Sequence, residues 1–129
     1  MSLRTRSVLA ASVAGGMLIG STMMAAPANA EIERSAQGTC KSGAIWDLDV
    51  ERDDGLLEID FDVDRARPGE VYRATVKVNK KRVWRANLRT DSDGDVWFTR
   101  MVRDRKGPDR ITVRLVSNKG DVCRAKVRV

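Results

Sequence analysis

Between Asp47 and Asp64 the chain carries nine carboxylates and a single arginine. Asp47, Asp49 and Glu51 recur at every second position, and after Asp54-Gly55 the same spacing returns in Glu58, Asp60 and Asp62. Carboxylates at that density can move protons, hold a cation or meet a basic partner. A pair such as Asp49 and Asp60 has the composition of a glycosidase acid and base. The rest of the chain argues against catalysis. It has no histidine, and Ser35, Ser42, Ser92 and Ser117 fall in a polar leader, loops and turns with no triad or lysine dyad around them. So small a domain also leaves no room for a deep cleft. A non-enzymatic protein without a cofactor is therefore expected.

Two further groups bear on chemistry. Asp91-Ser92-Asp93-Gly94-Asp95 spaces its carboxylates as a calcium loop would. However, glycine stands fourth rather than sixth, and the twelfth residue is Val102 rather than glutamate. A solvated hairpin turn is the expectation, with Asp91, Asp93 and Asp95 kept as a calcium candidate. The other group is Cys40 and Cys123, the only cysteines. With no C-x-x-C and no histidine, they are expected to form a disulfide rather than a metal site.

The carboxylates are placed by alternation. Trp46, Leu48 and Val50 alternate with the first acidic set, and Leu57, Ile59, Phe61 and Val63 with the second, around a two-residue Asp54-Gly55 turn. This register pairs Val50 with Ile59, Leu48 with Phe61 and Trp46 with Val63. It also sets Glu51 against Glu58, Asp49 against Asp60 and Asp47 against Asp62, and like charges so placed oppose pairing by a few tenths to about 1 kcal/mol each.

Further strands are read with Tyr72, Ala74, Val76 and Val78 inward, then Trp84, Ala86 and Leu88, then Val96 and Phe98, then Ile111, Val113 and Leu115, and last Cys123, Ala125, Val127 and Val129. Seven short strands over residues 40–129 predict an all-β, two-sheet antiparallel sandwich of immunoglobulin or fibronectin type, with a small closed barrel as the alternative. In such a sandwich the strand bearing Trp97 and Met101 lies beside the second hairpin strand, next to the acidic face Asp47, Asp49, Glu51, Glu58, Asp60 and Asp62. The opposite sheet turns Arg73, Lys77, Arg114, Arg124, Lys126 and Arg128 outward.

Residues 1–30 read as a secretory signal peptide. Arg4 and Arg6 precede an apolar run from Val8 to Ala26, and Ala28-Asn29-Ala30 makes a small-x-small cleavage site. Residues 31–39 are polar, lack an apolar period and read as a flexible leader. Removal of the signal leaves 99 residues of net charge +4, in which residues 47–64 hold −8 and the remainder +12. The two signs are segregated. The partners this suggests are an extracellular protein or an anionic polymer, with no membrane span after cleavage. Nucleic acid is disfavoured because the basic face has no aromatic to stack on a base. Unlike faces back to back also predict weak, salt-sensitive self-association.

Cys40, Gly43-Ala44-x-Trp46, Asp54-Gly55-x-Leu57-Glu58-Ile59-x-Phe61-x-Val63-Asp64, Asp109-Arg110-Ile111 and a cysteine in the last strand together resemble the small secreted one-disulfide proteins of actinobacteria. That resemblance implies an immunoglobulin-like sandwich and export, and supplies no site. The expectation is thus a secreted binding or interaction module, in one version an extracellular enzyme inhibitor and in another a polyanion or cell-envelope binder.

Overall fold

The computed structural model describes residues 32–105 and 107–129. The signal-peptide reading of residues 1–30 lies outside the described residues. Eight strands follow in order: β1 (Ile32–Thr39), β2 (Ile45–Asp53), β3 (Leu56–Asp64), β4 (Val71–Val78), β5 (Lys81–Arg89), β6 (Val96–Arg103), β7 (Arg110–Ser117) and β8 (Val122–Arg128). They make two antiparallel sheets of four, sheet A in the order β1-β2-β3-β6 and sheet B in the order β5-β4-β7-β8. The fold is a small all-β sandwich.

The central hairpin has the register its alternation demands. Val50 faces Ile59, Leu48 faces Phe61 and Trp46 faces Val63. Asp54 and Gly55 both take positive φ, 50° and 79°, as a two-residue turn matched to strand twist requires. The inward residues of both sheets form one core, with Leu48, Val50, Leu57, Ile59, Val63, Tyr72, Val76, Ile111, Val113 and Leu115 fully buried. Each such large aliphatic side chain contributes about 1.5–3 kcal/mol by leaving water. An aromatic ladder crosses the interior from Trp46 to Phe61 to Phe98, and Trp84 of β5 meets Phe98 from the other sheet with ring centroids 4.6 Å apart.

The structure corrects one reading. The segment taken as a flexible leader is β1, paired with β2 along its whole length from Ile32 against Arg52 to Thr39 against Ile45. The strand count is therefore eight rather than seven. An edge strand needs little apolar surface of its own when its neighbour already offers an unpaired row of backbone groups. Only Ala36 and Gly38 face inward with any burial, and Gly38 is there because a Cβ would collide with the Trp46 indole ring. β5 departs from simple alternation as well: a bulge opposite Val76 and Lys77 leaves Val83 exposed.

A buried carboxylate pins each end of the sandwich. At one end Asp121 accepts hydrogen bonds from the Tyr72 hydroxyl (2.6 Å), the Ser42 amide and hydroxyl (both 2.8 Å) and the Val122 amide (2.9 Å). The Cys40–Cys123 disulfide lies at the same corner, where the Lys41 amide also donates to the Val122 carbonyl. At the other end Asp109 accepts from Arg52 (3.1 Å) and from the Asn79 amide nitrogen (2.9 Å), while its backbone exchanges two hydrogen bonds with Val129. Among the described residues no helix is long and apolar enough to cross a membrane.

Candidate functional site

Sheet A turns three rows of polar side chains outward, each running across all four strands. The first is Ser35, Asp49, Asp60, Thr99; the second is Gln37, Asp47, Asp62, Trp97; the third is Glu33, Glu51, Glu58, Met101. All six carboxylates expected on this face are there, and like faces like as the hairpin register requires.

The flanking strands soften that repulsion. Ser35 of β1 donates its hydroxyl to Asp49, Gln37 its amide to Asp47, and Thr99 of β6 its hydroxyl to Asp60, each at 2.5 Å. Ser35, Gln37 and Thr99 were not expected at the site. The available signal was the period-two recurrence of polar Glu33, Ser35 and Gln37, which mirrors the acidic set on β2.

Asp62 is the exception in its row, because the position that holds Thr99 in the row above is filled here by Trp97. Partial burial, then the charges of Asp47, Asp64 and Asp49, push its carboxyl up to about 6. A carboxyl raised in the folded state favours folding below its unfolded value and loses that contribution as pH rises through the folded one. The shift from 3.8 to about 6 would amount to about 3 kcal/mol, which solvent screening at a half-exposed site reduces to about 1 kcal/mol. Asp62→Asn is therefore expected to raise the melting temperature at pH 7.5 by about 4–8 °C. It should also remove a loss of stability that the wild-type protein shows between about pH 4 and pH 6. Unchanged melting at pH 7.5, with the loss between about pH 4 and pH 6 persisting in Asp62→Asn, would refute the assignment.

The acidic surface continues past the sheet. Asp64, at the end of β3, stands near Asp95 of the 91–95 turn, and partial burial, then the charges of Asp64 and Asp91, push the Asp95 carboxyl up. The turn itself is a structural device. Asp91 Oδ1 accepts from the Asp93 and Asp95 amides, both at 2.9 Å, and Gly94 (φ 82°) packs so tightly that a Cβ would strike the Ala66 carbonyl. Carboxylate oxygens of Asp91, Asp93 and Asp95 lie within 4.8 Å of one another, as do those of Asp47, Asp62 and Asp64. Such groupings are ordinary on an acidic surface and assign no ion.

Beside Asp62, Trp97 is 71 % exposed, and Met101, beside Glu58, is 50 % exposed. They are the most exposed large apolar groups on this face, ahead of Leu56 at 40 %.

Sheet B presents the opposite sign. Its four strands contain eleven lysines and arginines and no aspartate or glutamate. Arg73, Lys77, Arg114, Arg124, Lys126 and Arg128 are all exposed on its outer face, as expected, and Arg85 joins them opposite Thr75.

Comparison with family models, curated proteins and solved structures gave no match to this chain.

Proposed function

We propose that this protein is an exported binding module that works outside the cell and grips a basic protein surface with the outer face of sheet A. One observation carries the reading: an exposed tryptophan stands in register with Asp62, a carboxyl that partial burial and neighbouring carboxylates push up, on a six-carboxylate face. Tryptophans so placed commonly anchor interfaces, while surrounding charges set partner and approach rate. The disulfide supports an oxidising compartment, and the A-x-A motif before Glu31 supports export. The strand order supports the immunoglobulin- or fibronectin-type assignment, since β2, β3 and β6 lie in one sheet and β5, β4, β7 and β8 in the other.

The test is capture. Immobilised residues 31–129, disulfide intact, are exposed to culture medium and envelope extract at low and high salt, beside Trp97→Ala and Arg114→Gln variants. A stoichiometric basic partner that Trp97→Ala releases with at least about tenfold lower affinity, and that Arg114→Gln retains, supports the reading. A captured protease or glycosidase would make the module an inhibitor. Retention that is indifferent to Trp97 would overturn the proposed face.

A further inference from the structure

The outer face of sheet B is not a flat field of charge. Two shallow depressions cross it and share one residue. The first, of about 460 Å³, is lined by Val71, Arg73, Asn87, Arg114, Val116, Ser117 and Asn118. The second, of about 380 Å³, is lined by Thr112, Arg114, Arg124, Ala125 and Lys126. The pairings Arg73 against Asn87, Arg73 against Val116 and Arg114 against Arg124 place these residues on β5, β4, β7 and β8 in turn. The depressions thus form one open trough that crosses three strand spacings, about 14–15 Å.

We infer that this trough is a binding site for a linear polyol-phosphate polymer, which lies across the strands with its phosphates against Arg73, Arg114, Arg124 and Lys126. Three features select that chemistry. Guanidinium groups match phosphate oxygens in a planar, two-pronged way that favours arginine over lysine, and three of the four cations are arginine. Among the described residues no carboxylate forms an ion pair with any of the four, so their charge remains available to a ligand. Around Arg73 the lining is apolar, with Val71 next to it on the same face of β4 and Val116 opposite it on β7, and both are only half-buried. A polymer that joins charged phosphates through short carbon segments can meet the cations and cover these valines; a bare polyphosphate leaves the valines uncovered. Asn87 and Asn118 at the rim supply neutral hydrogen-bonding groups for hydroxyls. Nucleic acid is a poorer fit because no aromatic ring lines the trough. The site is on the sheet opposite Trp97, and its fate is independent of the function proposed above.

Titration of residues 31–129 with poly(glycerol phosphate), followed by calorimetry at 50 and 200 mM NaCl, tests the assignment. Engagement of three phosphates predicts about 20-fold tighter binding at the lower salt. Arg114→Gln, which alters an exposed residue shared by both depressions, is expected to cut affinity at least about tenfold and to flatten the salt dependence by about one phosphate. Lys80→Gln/Lys81→Gln removes two charges outside the trough and is expected to bind within about twofold of wild type, because a lost phosphate contact rather than lost net charge is what weakens binding. Near-ultraviolet circular dichroism confirms that each variant is folded. Equal losses in the two variants would reduce the effect to net charge and overturn the site. Single-stranded DNA or inorganic polyphosphate bound as tightly as poly(glycerol phosphate) would overturn the polyol assignment. Binding to anionic phospholipid vesicles that poly(glycerol phosphate) does not compete away would replace the polymer with a membrane surface.

Discussion

Reduction of the Cys40–Cys123 disulfide is expected to lower the stability of the domain by about 4–5 kcal/mol. The two cysteines are 83 residues apart, so the bond closes a loop that takes in most of the described chain. Constraining an unfolded chain over that length removes entropy worth roughly this amount. A domain of this size has a total stability of about 5–15 kcal/mol, so the reduced protein should be marginal near physiological temperature. The measurement is urea unfolding of the oxidised protein, of the same protein in reductant, and of the Cys40→Ala/Cys123→Ala variant. Both reduced forms should lose the same amount. A difference below about 1 kcal/mol would mean that the surrounding corner, with its Lys41 to Val122 and Cys40 to Ala44 backbone hydrogen bonds, holds the chain ends without help.

That corner also carries the second large effect. Asp121→Ala is expected to cost about 3–4 kcal/mol, because it strips the acceptor from the buried Tyr72 hydroxyl and from the Ser42 amide and hydroxyl in one step. Burial pushes the Asp121 carboxyl up, but the hydrogen bonds from Tyr72, Ser42 and Val122 outweigh it and hold the group below the usual carboxylate range. Burial, then the bond to Asp121, pushes the Tyr72 phenol up in turn.

The sign of the Asp121 contribution is opposite to that of Asp62. A lowered carboxyl stabilises above its unfolded value and loses that stability as pH falls through the folded one. Wild-type stability should therefore drop below about pH 4 on account of Asp121, and the drop should vanish in Asp121→Ala. Tyr72→Phe is expected to cost about 1.5–3 kcal/mol as the loss of one hydrogen bond to a charged group. Because the two residues share that bond, the double variant should lose less than the sum. Strict additivity in chemical denaturation would show that Tyr72 and Asp121 act separately.

Much of this fold can be read from the chain, for a physical reason. Trp46 to Val63 repeats with period two on both sides of Asp54-Gly55, and a register slip of one residue would turn every core side chain to water. The acidic face followed from the same register, and the place of Trp97 beside it from β6 lying against β3. β1 was not legible because its inward positions include Arg34 and Gly38 rather than an apolar set; it is held by its neighbour's backbone and by side-chain bonds from Ser35 and Gln37. Asp121 was equally hidden. In Asn118-Lys119-Gly120-Asp121 it looks like one more polar turn residue, and only the approach of Tyr72 and Ser42, from 49 and 79 positions away, makes it a hub. The trough on sheet B depends on which strands become neighbours, information spread over the whole chain.

Sheets of opposite sign stacked about 10 Å apart make the domain an electric dipole along the sheet normal. A negatively charged surface does more than attract such a molecule; it turns it. Sheet B settles downward, and the Asp62 and Trp97 side stands away from the surface, open to whatever diffuses past. The domain's own charge pattern thus sets its orientation before any specific contact forms, so that occupancy of one face leaves the other presented.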